Sequence, residues 1–122
     1  MNNSLLAFIP AKTGSTGLTD KIFRKIGSFS LLEWTLLAAY SSNCVTEMVV
    51  SSNDHLVEEA VSSFSNRFTK KRITFIQRPD NLCTYQSKTE EAICHMFDNY
   101  PFYQEFDYLT MLQATSPCRR ND

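Results

Sequence analysis

Two glycines and two lysines set close behind an apolar run are the residues of this chain best suited to chemistry. The stretch reads Ile9-Pro10-Ala11-Lys12-Thr13-Gly14-Ser15-Thr16-Gly17-Leu18-Thr19-Asp20-Lys21, and Leu5-Leu6-Ala7-Phe8 precedes it. Glycines let a backbone fold tightly and bring its N–H groups to an anion, while lysines supply point charges suited to phosphate. The pattern suggests a strand that delivers a cationic loop wrapping a nucleotide triphosphate. Two familiar phosphate loops do not fit it. A Walker A loop needs G-x-x-x-x-G-K-[ST], but Gly14 and Gly17 are three apart and Lys21 lies four further on. The dinucleotide fingerprint G-x-G-x-x-G lacks its third glycine and an immediate helix.

The elements that must position this loop follow from periodicity. Ser4 to Pro10 is apolar on both faces, as a central parallel strand covered by helices on both sides should be. Residues 21–29 mix cations with apolar side chains, end near Gly27, and are expected to be extended or irregular. Ser30 and Glu33 have capping-box spacing, predicting a helix to about Ser42 that is apolar nearly all round and hence largely buried. Trp34 on it reads as core. Thr46 to Ser51 is the second strand, and Ser52-Asn53-Asp54 caps a second helix. That helix carries Leu56, Val57, Ala60, Val61 and Phe64 on one face, with His55, Glu58 and Glu59 opposite. His55 and Glu58 lie one turn apart, but no second histidine completes a metal motif, so they read as a solvated face.

Arg72 to Gln77 is the third strand, ended by Arg78-Pro79. Ser87 and Glu90 repeat the capping-box spacing for a third helix with Thr89, Ala92, Ile93, Met96 and Phe97 inward and His95 exposed. Tyr100-Pro101 closes it, and Asp107 to Gln113 is the fourth strand. The alternation of strand and helix predicts a three-layer α/β/α fold with a mostly parallel, Rossmann-like sheet in one domain, 1–122. Its polar stretches 11–21, 52–54, 78–87 and 113–119 all follow strands. In an open α/β sheet the ligand sits at those carboxyl ends, so four segments converge on one crevice.

Composition narrows the function further. The 122 residues are 43% hydrophobic and 20% charged, an ordinary soluble balance, and the net charge of −1 argues against a general nucleic-acid binder. Positive charge is local: Lys12, Lys21, Arg24 and Lys25 face only Asp20 over residues 12–25. Arg67, Lys70, Lys71 and Arg72 read as a second, solvated cluster. No secretory signal or membrane span is evident, so a cytoplasmic location is expected. Cys44, Cys83, Cys94 and Cys118 show no C-x-x-C spacing and read as free thiols, mostly in the core.

The Pro-Ala-Lys-x-Gly-Ser-x-Gly loop with its distal lysine resembles the signature of the sugar-activating cytidylyltransferases, above all the acylneuraminate (CMP-sialic acid) synthetases. Their first strand reads I-P-A-R-x-G-S-K-G, followed by Lys-Asn. The likeness continues in Ser30-Leu31-Leu32, Ala38-Ala39, Val49-Val50-Ser51-Ser52, Glu58-Glu59-Ala60 and Arg78-Pro79. It ends in Leu112-Gln113-Ala114-Thr115-Ser116-Pro117, close to the family's L-Q-P-T-S-P and unlike the Q-G-D-E-P-type segment of the octulosonate (KDO) enzymes. The resemblance implies the nucleotide-diphospho-sugar transferase type of fold. It also implies that CTP and a nonulosonic sugar acid react when a sugar hydroxyl attacks the α-phosphate and pyrophosphate leaves.

In that reading Lys12 and Lys21 are the catalytic cations holding the triphosphate, with Ala11, Gly14, Ser15, Thr16 and Gly17 around it. Arg78 and the loop to Ser87 surround the cytosine, and Gln113 sits near the ribose or the sugar. Lys12 stands where the family has arginine, Thr16 where it has lysine, and Ile22 where it has asparagine. The family's magnesium is held by an aspartate pair in a second half that this chain does not include. A chain truncated there is expected to bind nucleotide as an enzyme fragment or as a non-catalytic module, and to self-associate, with a homodimer as the simplest form.

Overall fold

The computed structural model describes residues 4–11, 23–79 and 89–112. Strand β1 (Leu5–Pro10) leads to two short strands, β2 (Lys25–Ile26) and β3 (Phe29–Ser30), and then to helix α1 (Leu31–Ser41). Strand β4 (Glu47–Ser52), helix α2 (His55–Arg67), strand β5 (Arg72–Gln77) and helix α3 (Thr89–Asn99) follow. A 3-10 turn (Pro101–Glu105) precedes strand β6 (Tyr108–Met111). The main sheet has four strands in the order β5-β4-β1-β6, every neighbouring pair parallel. The expected α/β/α architecture with a parallel sheet is therefore present.

Period-two alternation sorts the strand residues into two cores. Ala7 and Ile9 of β1 and Met48 and Val50 of β4 face α1 and α2, packing with Leu32, Leu36, Ala39, Val57, Val61 and Phe64. Leu6, Phe8, Val49 and Ile76 face the other way, against Ala92 and Met96 of α3 and Tyr103 of the 3-10 turn. Successive side chains of a strand point to opposite faces, so a strand covered on both must be apolar throughout. Leu6, Ala7, Phe8 and Ile9 are accordingly all fully buried.

The capping box at α1 forms as its spacing predicts. Glu33 N–H donates to Ser30 Oγ at 3.1 Å, and Ser30 N–H donates to the Glu33 carboxylate at 2.8 Å. Asp54 caps α2 by accepting from Leu56 N–H at 2.9 Å.

Several expectations need correction. The segment before α1 is a hairpin with Ile26 opposite Phe29. Its two-residue turn starts at Gly27, with φ +69°, while Ser28 does not share a positive φ. That is the glycine-first, II′ geometry whose twist suits a tight hairpin. Trp34 is half-buried and serves this hairpin, its indole N–H donating to Ile26 O at 2.8 Å and its ring meeting Phe29 edge-on. Helix α1 is buried on one side only, with Ala38 exposed. Leu56 is also 47% exposed, so the inner face of α2 narrows to Val57, Val61 and Phe64, with Ala60 partly buried against the same core.

The basic cluster is not simply solvated. Lys71 Nζ donates to Ala39 O at 3.3 Å and Ser42 O at 2.5 Å, satisfying carbonyls at the end of α1. Arg67 lies over the rings of Phe29 and Phe68. Cys44 and Cys94 are exposed free thiols rather than core residues. His95 is half-buried, with Nδ1 shut off from solvent. Pro101 does not merely close α3; it starts the 3-10 turn that places Tyr103 in the core.

Candidate functional site

The sheet reverses its direction of growth at β1. From β1 the chain moves outward through β4 to β5, then crosses back to add β6 on the other side. Ligands of open α/β sheets bind outside the carboxyl ends of the strands at such a switch point. Here those ends are Pro10-Ala11, Ser51–Asp54, Gln77–Pro79 and Met111-Leu112.

Two buried serines at the end of β4 tie these exits together. Ser51 O accepts from Ala11 N–H at 2.9 Å and from the Arg78 guanidinium at 2.9 Å. The Ser51 hydroxyl accepts from Arg78 Nε at 3.0 Å. Ser52 Oγ donates to Ala11 O at 2.6 Å and accepts from Asp54 N–H at 3.1 Å, while Ser52 O accepts from Arg78 N–H at 2.8 Å. On the far side of β1, Leu112 N–H donates to Phe8 O at 3.0 Å. The start of the glycine–lysine loop, the cap of α2 and the exit of β5 are thus held against one another.

All of this is dry. Ser51 and Ser52 are fully buried, Ala11 is 3% exposed and Arg78 only 2%. Removing an arginine from water is costly unless its donors are satisfied, and a buried hydroxyl needs partners as well. The arrangement meets both requirements by fixing the guanidinium between β4 and β5. Its product is a rigid floor carrying one buried positive charge at the ligand-binding end of the sheet.

Of the residues expected in the site, Ala11 and Arg78 are brought together through Ser51. Lys12, Gly14, Ser15, Thr16, Gly17, Lys21, Ser87 and Gln113 lie outside the described residues. Ser51 and Ser52 as the organising pair were not foreseen. The available signal was a hydroxyl pair ending an otherwise apolar strand, just before an aspartate cap. Among the described residues no group of three or more His, Cys, Asp and Glu side chains could hold a metal ion. No described helix is long and apolar enough to cross a membrane.

A parallel sheet with helices on both faces and its polar exits gathered at the switch point defines a doubly wound α/β domain, the class whose ligands bind at that point. The cytidylyltransferase family model matches residues 6–120, and the chain belongs to that family. It is 29% identical over 119 residues to the N-acylneuraminate cytidylyltransferase of Escherichia coli O18:K1:H7, covering 98% of this chain and 26% of that protein. It is also 29% identical over 119 residues to the CMP-N,N′-diacetyllegionaminic acid synthase of Legionella pneumophila, covering 95% of this chain and 48% of that protein. Among solved structures, the CMP:2-keto-3-deoxy-manno-octonic acid synthetase complexed with CTP superposes with a TM-score of 0.70 at 20% identity. That match covers 96% of this chain and 42% of the synthetase, and shows the shared fold. The chain therefore spans less than half the length of each of these proteins.

Proposed function

We propose that this chain is the CTP-binding part of a cytidylyltransferase that activates a nonulosonic sugar acid, giving a CMP-sugar and pyrophosphate. The observation that carries the reading is the buried Arg78–Ser51–Ala11 junction, which fixes the exit of β1 where the glycine–lysine loop begins. Phosphoryl transfer of this kind needs positioning and charge neutralisation more than a protein nucleophile. Lys12 and Lys21 would neutralise the triphosphate, with backbone N–H groups of Gly14 to Gly17 and the Ser15 hydroxyl supporting it. Arg78 and Ser87 would border the cytosine, and Gln113 the ribose or sugar. The sugar hydroxyl then attacks the α-phosphorus in line, its P–O bond forming as the bond to pyrophosphate breaks. Two relatives matched over nearly the whole chain are named for N-acylneuraminate and N,N′-diacetyllegionaminic acid, which supports that substrate class, while two octulosonate cytidylyltransferases match about half of the chain.

Magnesium, implied by the resemblance, would be held by residues outside the described site and would help to neutralise the phosphates; the roles given to the lysines do not depend on it. We also place the protein in the cytoplasm, where CTP is available. A second reading rests on the departures from the family signature at Lys12, Thr16 and Ile22: a module that binds nucleotide without turning it over.

Titration calorimetry with CTP, ATP and GTP in the presence of magnesium tests the proposal. CTP should bind most tightly, and Lys21→Ala should weaken it by about tenfold or more, as expected for a lost charge-assisted contact. Absence of CTP binding at millimolar concentration would sink the nucleotide site. Pyrophosphate release with N-acetylneuraminate present separates the enzyme from the non-catalytic module.

A further inference from the structure

The glycine–lysine stretch is bounded, in the described residues, by Ala11 and Phe23, and both rest on one core. Ala11 is a buried member of the core that faces α1 and α2, and Phe23 packs against that same core. The two ends are held differently. At Ala11 both the N–H and the carbonyl are bonded to the buried serines of β4. Phe23 is only partly buried, and the chain beyond it runs into the β2–β3 hairpin through residues 24–28, all of them exposed.

A hairpin this short is not stable by itself in water and must be fixed from outside. Leu31 N–H donates to Arg24 O at 3.0 Å, tying the approach to β2 to the first residue of α1. Arg67 of α2 lies over the Phe29 ring, 6.0 Å from its centroid. Trp34 reaches both strands. Its indole N–H donates to Ile26 O of β2 at 2.8 Å, and its ring meets Phe29 of β3 edge-on with centroids 5.1 Å apart. The helix turn from which Trp34 projects is itself locked by the Ser30–Glu33 capping box. An indole nitrogen donates and cannot accept, so the ring has one way to satisfy that carbonyl.

We propose that Trp34 is a positioning residue for Lys21, acting through the hairpin rather than by contact with nucleotide. Lys21 follows Ala11 by ten residues but precedes Phe23 by two, so its backbone is placed from the hairpin end. Trp34 pins both strands of that hairpin to α1 and thereby fixes the point from which the lysine reaches. The inference rests on the nucleotide site proposed above, in which Lys21 neutralises the triphosphate.

The chemistry of lysine makes such a support necessary. Its ammonium is a compact point charge on a flexible stem, without the rigid fork that lets an arginine orient itself on a phosphate. Accuracy must then come from the backbone that carries it, and a charge-assisted contact weakens as soon as the donor is held too far away. The near end of the stretch has buried hydrogen bonds for this purpose. The far end has an exposed hairpin, and Trp34 gives it a fixed attachment.

Trp34→Phe keeps an aromatic ring beside Phe29 and removes the indole N–H. The lost bond is solvent-exposed, so the urea midpoint should stay close to that of wild type. Calorimetric CTP titration of wild type, Trp34→Phe, Lys21→Ala and the double variant forms a double-mutant cycle. Trp34→Phe should weaken CTP binding by about threefold, a partial loss of the charge-assisted contact, and should weaken it no further in the Lys21→Ala background. If Trp34→Phe lowers the urea midpoint markedly, benzothienylalanine at position 34, which keeps the shape of the ring with sulfur in place of N–H, repeats the cycle. Full CTP affinity without the indole N–H, or equal losses in both backgrounds, overturns the positioning role and leaves the nucleotide site standing. A wild-type chain that does not bind CTP, or a Lys21→Ala variant that binds it undiminished, overturns the nucleotide reading and this inference with it.

Discussion

The two ends of the parallel sheet are fastened by similar polar contacts in opposite surroundings. At the amino end, Ser4 N–H and Oγ donate to Asp107 Oδ2 at 3.0 and 3.3 Å, and Asp107 N–H returns a bond to Ser4 Oγ at 3.0 Å. Leu5 N–H donates to Thr46 Oγ1 at 3.0 Å, and these contacts are solvent-exposed. At the carboxyl end, Ser51, Ser52 and Arg78 make theirs almost wholly out of water. Water replaces a broken bond at the first end and cannot at the second, so comparable distances carry different consequences. The amino end aligns strands. The carboxyl end holds a desolvated charge and two desolvated hydroxyls in one geometry, which is what a preorganised phosphate or base site needs.

The largest test of that contrast is Arg78→Met. It keeps an apolar stem but removes the donors to Ser51 O and Oγ, leaving buried acceptors short of partners. Loss of hydrogen bonds from a charged donor predicts a fall of about 2–3 kcal/mol in unfolding free energy, read as a lower urea midpoint. CTP affinity should fall by at least about tenfold at a temperature where the variant stays folded, since the positive charge beneath the crevice goes with it. Unchanged CTP affinity would show that the buried guanidinium serves stability alone.

Ser52→Ala should come next. It strands the buried Ala11 carbonyl, and one unsatisfied buried group costs about 1–3 kcal/mol. Asp107→Ala at the other end removes a comparable number of contacts where water can substitute. Its expected cost is about 0.5–1 kcal/mol, measured by the same urea titration. Equal losses from the two variants would break the comparison, because burial would then not set the value of these bonds.

Much of the fold was legible because its signals are local. Unbroken apolarity of Leu5 to Ile9 identified the central strand, Ser30 and Glu33 the start of α1, and Arg72 to Gln77 the bounds of β5. The Gly27-Ser28 turn between Ile26 and Phe29 was present in the sequence as a hairpin signal but was outweighed by the surrounding cations. Lys71 and Ser51-Ser52 belong to another kind of information. Lys71 reaches Ser42, 29 positions away, and Ser52 reaches Ala11, 41 positions away. A serine after an apolar strand looks like the beginning of a turn; only the flanking β1 and β5 make it buried. Ala11 and Arg78 were singled out from spacing and family likeness, but their connection through Ser51 depends on which strands become neighbours.

The smallest predicted effect concerns the one acidic strand residue at the amino end whose proton affinity is displaced. Glu47 opens β4 with Oε2 buried and, among the described residues, no hydrogen-bond partner for it. Desolvation raises its pKa above the ordinary carboxylate range, and Arg72 across the strand pair offsets that only in part. Tyr103, the other titratable group coupled to Glu47, is itself pushed up by burial and stays protonated at neutral pH. A carboxyl whose folded pKa lies above its unfolded one binds more protons in the native state. Its contribution to stability is therefore fully present below the unfolded value near 4.5, and is lost as pH rises through the raised one. Glu47→Gln keeps the shape and abolishes the titration. Thermal unfolding from pH 4 to 7 should show a flatter pH dependence in the variant and a higher midpoint than wild type at pH 7, by less than the Ser52→Ala change. CTP binding should not move, since Glu47 sits at the end of the sheet remote from the crevice. A variant that lost stability at pH 7 would show that the Arg72 attraction outweighs desolvation, and that the amino end, too, depends on a buried charge.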